Sequence, residues 1–211
     1  MAANTRQRTT HATSPRRTSY HHGDLPRAMV DEAVRLIQAD GIGALTLREV
    51  GARLGVSRTA LYRHFADKDA LLAAVAMEGF RMLRGSLRDA WQAAASGPRR
   101  LDGMGAAYVR FAVAHPSHYR VMFGADLSKM GETVAASDES VDAFQALVDG
   151  IVAQQREGFL RPDEPRQLAL YIWAVVHGVA MLALDGRLPP EIDAMALSLI
   201  ANERLHTGIA P

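Results

Sequence analysis

The stretch LTLREVGARLGVSRTALYRHFADKDALL, residues 45–72, decides the fold. Apolar residues fall at Leu47, Val50 and Leu54, then at Val56, Leu61 and Phe65. Steps of three and four residues put Leu47, Val50 and Leu54 on one face of a helix, and a step of four does the same for Leu61 and Phe65, with Val56 just ahead of the second helix. Thr46 stands where a helix start needs an oxygen acceptor, and Glu49 follows three residues on, the pattern of a reciprocal capping box. Gly55 can take the left-handed conformation that ends a helix at a sharp bend, and Ser57 caps the next helix. Gly51 leaves room for the two helices to cross closely. The second helix turns Arg58, Thr59, Tyr62, Arg63 and His64 outward, and Asp67 caps a third. A short helix exposing guanidinium, hydroxyl and phenol suits the DNA major groove, whose base edges offer paired acceptors and a methyl group. A plain helical hairpin with a solvated charged face explains the apolar spacing. It does not explain the capping, the glycine turn and the basic–aromatic face together.

These residues also carry a likeness to a known family. TLREVGARLGVSRTALYRHFADKDALL, with LYRHF and then Lys68, resembles the DNA-binding domain of TetR-family one-component transcriptional regulators. The likeness runs over about 50 residues, from the YHHGDL lead-in at Tyr20 to Leu72. It implies an all-α chain with a helix-turn-helix domain over 20–72 and a helical effector-binding and dimerisation domain over 73–211. The partners it implies are a double-stranded DNA operator, a small hydrophobic effector and a second copy of the chain. No cofactor is implied.

For DNA, Arg58 is the first candidate for base contact, because a guanidinium can donate two bonds to guanine. Thr59 can pack on a thymine methyl or accept a proton from a base. Arg48 aligns with a base-contacting arginine in some family members, and Arg63 reaches either a base or a phosphate. The resemblance assigns Thr46, Tyr62, His64 and Lys68 to the phosphate backbone. Thr46 and Lys68 also stand at helix N-termini, where free amides and the dipole favour an anion. Each of these side chains has the alternative of simply being a solvated surface group.

Composition bounds the rest. A chain of 211 residues with 48% hydrophobic and 22% charged content is that of an ordinary globule with a real core. The absence of cysteine excludes disulfides and thiolate metal sites and fits a reducing cytoplasm. No signal-peptide core follows the N-terminal arginines, so export is not expected. The longest apolar stretch, Ala169–Leu184, is interrupted by His177 and Gly178, so no membrane span is expected either. Net charge of +1 hides an asymmetry: residues 1–76 carry 11 Lys/Arg against 7 Asp/Glu, and residues 77–211 carry 13 against 16. Positive charge thus gathers at the end that would meet phosphate. Residues 1–19 hold four arginines and no acid and read as disordered, either a solvated tail or a basic arm along the DNA.

Helical patterning extends over the whole chain, with no strand alternation and no internal repeat. It predicts helices at about 24–40, from Lys68 to about Ala95, and at about 99–114, 116–123, 137–157, 164–184 and 190–206. Trp91, Tyr108, Phe111, Met122, Phe123 and Phe144, joined by Trp173, His177 and Met181, are candidates for an apolar effector pocket. Each has the alternative of being plain core. Trp173, His177 and Gly178, with HPSHYRVMFG, resemble the W…HG motif of one TetR subgroup. Ala174, Gly178, Met195 and Leu199, on the last two helices, are candidates for the dimer interface; the family pairs two such helices from each subunit.

Enzyme chemistry finds little support. His115 and His118 approach metal-ligand spacing, but Pro116 breaks the helix that would align them and no third ligand stands near in sequence. Ser117 lacks a nucleophile elbow, and the glycines form no phosphate loop. The remaining rival is a DNA-binding protein with no small-molecule effector, architectural or controlled by a protein partner.

Overall fold

Helix α1, Leu25–Asp40, starts where the Asp24 carboxylate accepts the Arg27 amide at 3.1 Å and Pro26 occupies the first turn. Its buried stripe holds Met29, Ala33, Leu36 and Ile37, and Gly41 ends it at φ 80°. A 3₁₀ turn, Ile42–Ala44, leads to α2, Leu47–Leu54, and α3, Arg58–Tyr62. The computed structural model describes residues 24–124 and 138–209, which are all-helical, with nine α-helices among them. The basic N-terminal segment and the YHHG part of the lead-in lie outside the described residues.

The turn between α2 and α3 is built as its sequence dictates. Thr46 Oγ1 accepts the Glu49 amide at 3.1 Å, and Gly55 adopts φ 67° in the left-handed region. Ser57 Oγ accepts the Ala60 amide at 3.3 Å. A β-carbon on Gly51 would overlap the Leu61 side chain, so the missing atom is what lets α3 seat on α2. The capping box is only half formed. The Glu49 carboxylate accepts from Arg53 Nε at 3.0 Å, and Arg53 also reaches Asp40 at 3.0 Å, tying α2 to the end of α1.

Helix α4, Lys68–Ala93, is 26 residues long and capped by Asp67, which accepts the Ala70 amide at 2.8 Å. It is followed by α5, Arg100–Ala114, and α6, Pro116–Phe123. Then come α7, Asp138–Arg156, α8, Pro165–Leu184, and α9, Ala194–Ile209. Helix α4 packs on α1, α5, α6 and α7, and α5 packs on α8 and α9. One apolar core runs without a break from Met29, Leu45 and Val50 through Leu71 and Val75 to Tyr108, Tyr119 and Val176. The helix-turn-helix unit therefore shares its core with the second domain.

Two expectations need correction. Helix α9 begins at Ala194, not near 190. The Pro189–Pro190 pair disfavours helix, and Asp193 accepts the Met195 and Ala196 amides at 2.8 Å, a proper cap. It runs on to Ile209, where Arg161 donates its amide to the Ile209 carbonyl. Helix α8 is unbroken over 20 residues, since His177 and Gly178 are accommodated within it. By length and composition it meets the requirement for a membrane span, with 33% of its most apolar window buried in the protomer. It packs on α5, α7 and α9.

Candidate functional site

The DNA-reading candidates lie along one short segment. Thr46, Arg48, Arg58, Thr59, Tyr62, Arg63 and His64 are all exposed, and Lys68 is half-buried. Helix α3 is only five residues long, so Arg63 caps its end and His64 lies beyond it, where the sequence pattern placed both on the helix. The Arg58 guanidinium lies 5.4 Å from the Tyr62 ring centroid, a cation–π contact that holds it along α3. Lys68 Nζ donates to the Ile42 carbonyl at 3.0 Å, linking the start of α4 to the turn after α1.

The second domain encloses a cavity of about 390 Å³ between α4, α5, α6, α7 and α8. Of the pocket candidates, Tyr108, Met122, Phe123, Phe144 and Trp173 line it. The other four do not. Trp91 is a strut: Arg100 lies 3.9 Å over its ring and donates to its carbonyl, and Gly150 of α7 packs against it. Phe111 is buried against His115, with ring centroids 5.1 Å apart. Met181 packs on the main core, and His177 stands behind the cavity wall. Sequence reasoning missed Phe80, Leu83 and Leu87, which give the cavity its α4 side, because a leucine stripe on a long helix reads as core. It also missed Arg166 and Ser140, for which the sequence offers no signal.

A closed polar network backs the aromatic wall. Trp173 Nε1 donates to the Tyr108 hydroxyl at 3.0 Å. Tyr108 and Tyr119 hydroxyls are 3.0 Å apart, and the Tyr119 hydroxyl lies 2.7 Å from His177 Nδ1. Burial lowers the His177 pKa, which leaves the ring neutral at pH 7. A neutral ring with an open Nδ1 makes one chain of donors consistent: indole to Tyr108, Tyr108 to Tyr119, Tyr119 to imidazole. Burial also pushes the Tyr108 phenol up to about 12 and the Tyr119 phenol higher still, so both keep their protons.

A second cluster joins the two domains. Arg27 of α1 pairs with buried Glu78 of α4 at 2.8 Å, and His118 Nε2 of α6 stands 3.7 Å from the other Glu78 oxygen. Burial is the main cause of the lowered His118 pKa. His115 and His118 rings are 6.0 Å apart at their centroids, and no group of three or more potential metal ligands occurs among the described residues.

Outside the protomer core, α8 and α9 present an apolar strip. Tyr171, Leu182, Leu199 and Ile200 are 54%, 43%, 60% and 53% exposed. Of the interface candidates, Ala174 and Leu199 are exposed and Gly178 is half-buried with open space at its α-carbon. Met195 is half-buried and packs partly on the core. Tyr171, Ala174, Gly178 and Leu182 recur at helical spacing and so share one side of α8.

Comparison with known proteins agrees with this architecture. The family described as bacterial regulatory proteins, tetR family, matches residues 29–75. The one described as tetracyclin repressor-like, C-terminal domain, matches residues 101–202. A Rhodococcus sp. RHA1 protein described as of unknown function is 31% identical over 92% of this chain and 100% of its own, with a TM-score of 0.79. A bacterial regulatory protein in the tetR family from Rhodococcus RHA1 is 24% identical over 88% and 96%, with a TM-score of 0.69. The TetR family transcriptional regulator PfmR from Thermus thermophilus is 16% identical over 85% and 97%, with a TM-score of 0.66. The last two likenesses concern the fold alone.

Proposed function

The chain belongs to the TetR family of helix-turn-helix regulators, and from that premise we propose that it is a ligand-responsive repressor acting as a homodimer on an inverted-repeat operator. Its place of action is the cytoplasm, where its DNA lies. Arg48, Arg58, Thr59 and Arg63 read bases, while Thr46, Tyr62, His64 and Lys68 hold phosphates. One helix-turn-helix covers too little DNA for selective binding, which generally buries on the order of 1,000 Å² or more of protein surface. A twofold pairing through the apolar strip of α8 and α9 doubles that contact and also covers Leu199, Ile200 and Tyr171.

One observation carries the ligand-responsive part. Phe80, Leu83 and Leu87 form the α4 side of the cavity, and α4 begins at Lys68, which is bonded to Ile42 of the DNA-binding unit. A ligand that fills the cavity presses on the same rod that sets where α3 points. Half-sites on B-DNA recur at roughly 34 Å, so a tilt of α4 that alters the separation of two recognition helices loses one half-site. The differential affinity of ligand for the two arrangements sets the response, typically about 1–3 kcal/mol. The rival reading, a DNA-binding protein with no small-molecule effector, leaves the cavity without a purpose.

The test is footprinting on the DNA upstream of the protein's own gene and on genome-wide fragments, across a salt series with random DNA as competitor. A protected inverted repeat that survives competition supports the proposal. Protection erased equally by random DNA on every fragment overturns it.

A further inference from the structure

The described lining of the cavity carries a single charge. Among its described lining residues the only ionisable group charged at neutral pH is Arg166, in the first turn of α8. Its guanidinium lies 5.6 Å from the centroid of the Phe144 ring, and no carboxylate among the described residues pairs with it. Three acids near it in sequence or on the facing helix are engaged elsewhere. Glu164 caps α8 by accepting the Gln167 amide at 2.7 Å, Asp142 pairs with Arg84 at 2.7 Å, and Glu139 stands 4.0 Å from Arg81.

The deep wall, by contrast, asks for nothing polar. The indole N–H of Trp173 and the hydroxyl of Tyr108 satisfy each other and the network behind them. The buried polar atoms left without partners, on Asp102, His118, Gln154 and Ser198, all lie on residues that do not line this cavity. Among the described lining residues, a ligand head that is cationic would meet a guanidinium and no carboxylate, an unfavourable burial. A neutral apolar ligand would leave Arg166 unused at the mouth. A carboxylate head gains a charge-assisted, two-pronged bond to a planar guanidinium while its tail replaces water against aromatic and aliphatic side chains.

Resting on the effector reading above, we infer that this cavity takes an amphipathic carboxylate, an alkyl-chain monoanion whose head is held by Arg166 at the mouth and whose tail lies between α4 and the Phe144–Trp173 wall.

The test titrates the full-length protein with decanoate, decanol and decylamine at matched concentrations below micelle formation, read by calorimetry and by tryptophan fluorescence. Decanoate binds roughly tenfold more tightly than decanol, the low end of the range for a charged hydrogen bond because Arg166 is solvent-exposed. Arg166→Gln erases that preference while leaving decanol affinity unchanged, and Arg166→Lys retains part of it. Equal binding of decanoate, decanol and decylamine overturns the carboxylate assignment and leaves the cavity as a general apolar site. Binding of none of the three overturns the effector reading itself, and this inference with it.

Discussion

Gly79 of α4 lies so close beneath the Met122 thioether of α6 that a β-carbon at residue 79 would overlap the sulfur. Met122 also lines the cavity, so the two helices touch at the point where a ligand would press. Glu78, one residue earlier, pairs with Arg27 of α1. Cavity, long helix and DNA-binding unit thus meet within two residues of α4.

Gly79→Ala tests that contact. Alanine gains about 0.5–1 kcal/mol of helix propensity over glycine, but overpacking a filled site costs about 1–3 kcal/mol. Overpacking wins, leaving a protein destabilised by about 1 kcal/mol. Because the thioether is flexible, it yields toward the cavity, and affinity for an apolar ligand falls. Denaturant unfolding and ligand titration of the same preparation check both parts. Destabilisation with unchanged ligand affinity would mean that Met122 yields away from the cavity.

Arg58 and Lys68 separate by their response to DNA sequence. Arg58→Ala relaxes discrimination at particular base pairs by about 1–3 kcal/mol each and leaves the fold intact, since the side chain is exposed. Lys68→Ala weakens binding to all sequences and reduces the salt slope by about one. It also loses the bond to the Ile42 carbonyl, so its stability falls by about 1 kcal/mol. Binding measured on operator and random DNA over a salt series, beside thermal melts, distinguishes the two. Equal losses on both DNAs for Arg58→Ala would remove it from base reading.

The buried histidines give the protein an acid-sensitive side. Burial lowers the pKa of His177 and of His118 below the ordinary 6.5. Below that value the unfolded chain takes up protons that the folded one resists, so stability is full above it and declines as the pH falls. Protonation of His177 Nδ1 also removes the acceptor for the Tyr119 hydroxyl. The melting temperature therefore drops between about pH 8 and about pH 5.5. His177→Asn, whose amide oxygen can replace the acceptor without titrating, shows a smaller drop. An identical pH dependence in the variant would assign the acid sensitivity elsewhere.

Ala174→Glu places a carboxylate on the apolar strip of α8, where the protomer alone leaves it in solvent. The monomer fold is unaffected, while pairing would bury two like charges near the twofold axis, a cost of several kcal/mol. Sedimentation shows monomers for the variant and dimers for the wild type, and operator affinity falls with dimerisation. A variant that remains dimeric would move the interface off this face.

Much of the helix-turn-helix was legible because local rules decide it. Thr46, Gly51, Gly55 and Ser57 each perform the task their chemistry suggests within a few residues. Glu49 did not, because Arg53 offered a charged partner stronger than an amide. The cavity was legible only in part. Phe123 and Trp173 line it, whereas Trp91 and Phe111 do not, and all four are aromatic residues at helical spacing. What separates them is the crossing of α4, α5 and α8, a long-range relation that periodicity does not carry. Arg166 was invisible for the same reason: a lone arginine in a first turn acquires meaning only from what it faces.

Helix α3 is attached to the rest of the protein through one fully buried side chain, Leu61, set against a glycine. Its outward positions 58, 59 and 62, and position 63 at its end, bear no part of the core. Substitutions there are nearly free of folding penalty, so under the proposed base-reading role descendants of this gene can drift toward new operators without passing through misfolded intermediates. The constraint on such divergence falls on the partner sites in the genome, not on the polypeptide.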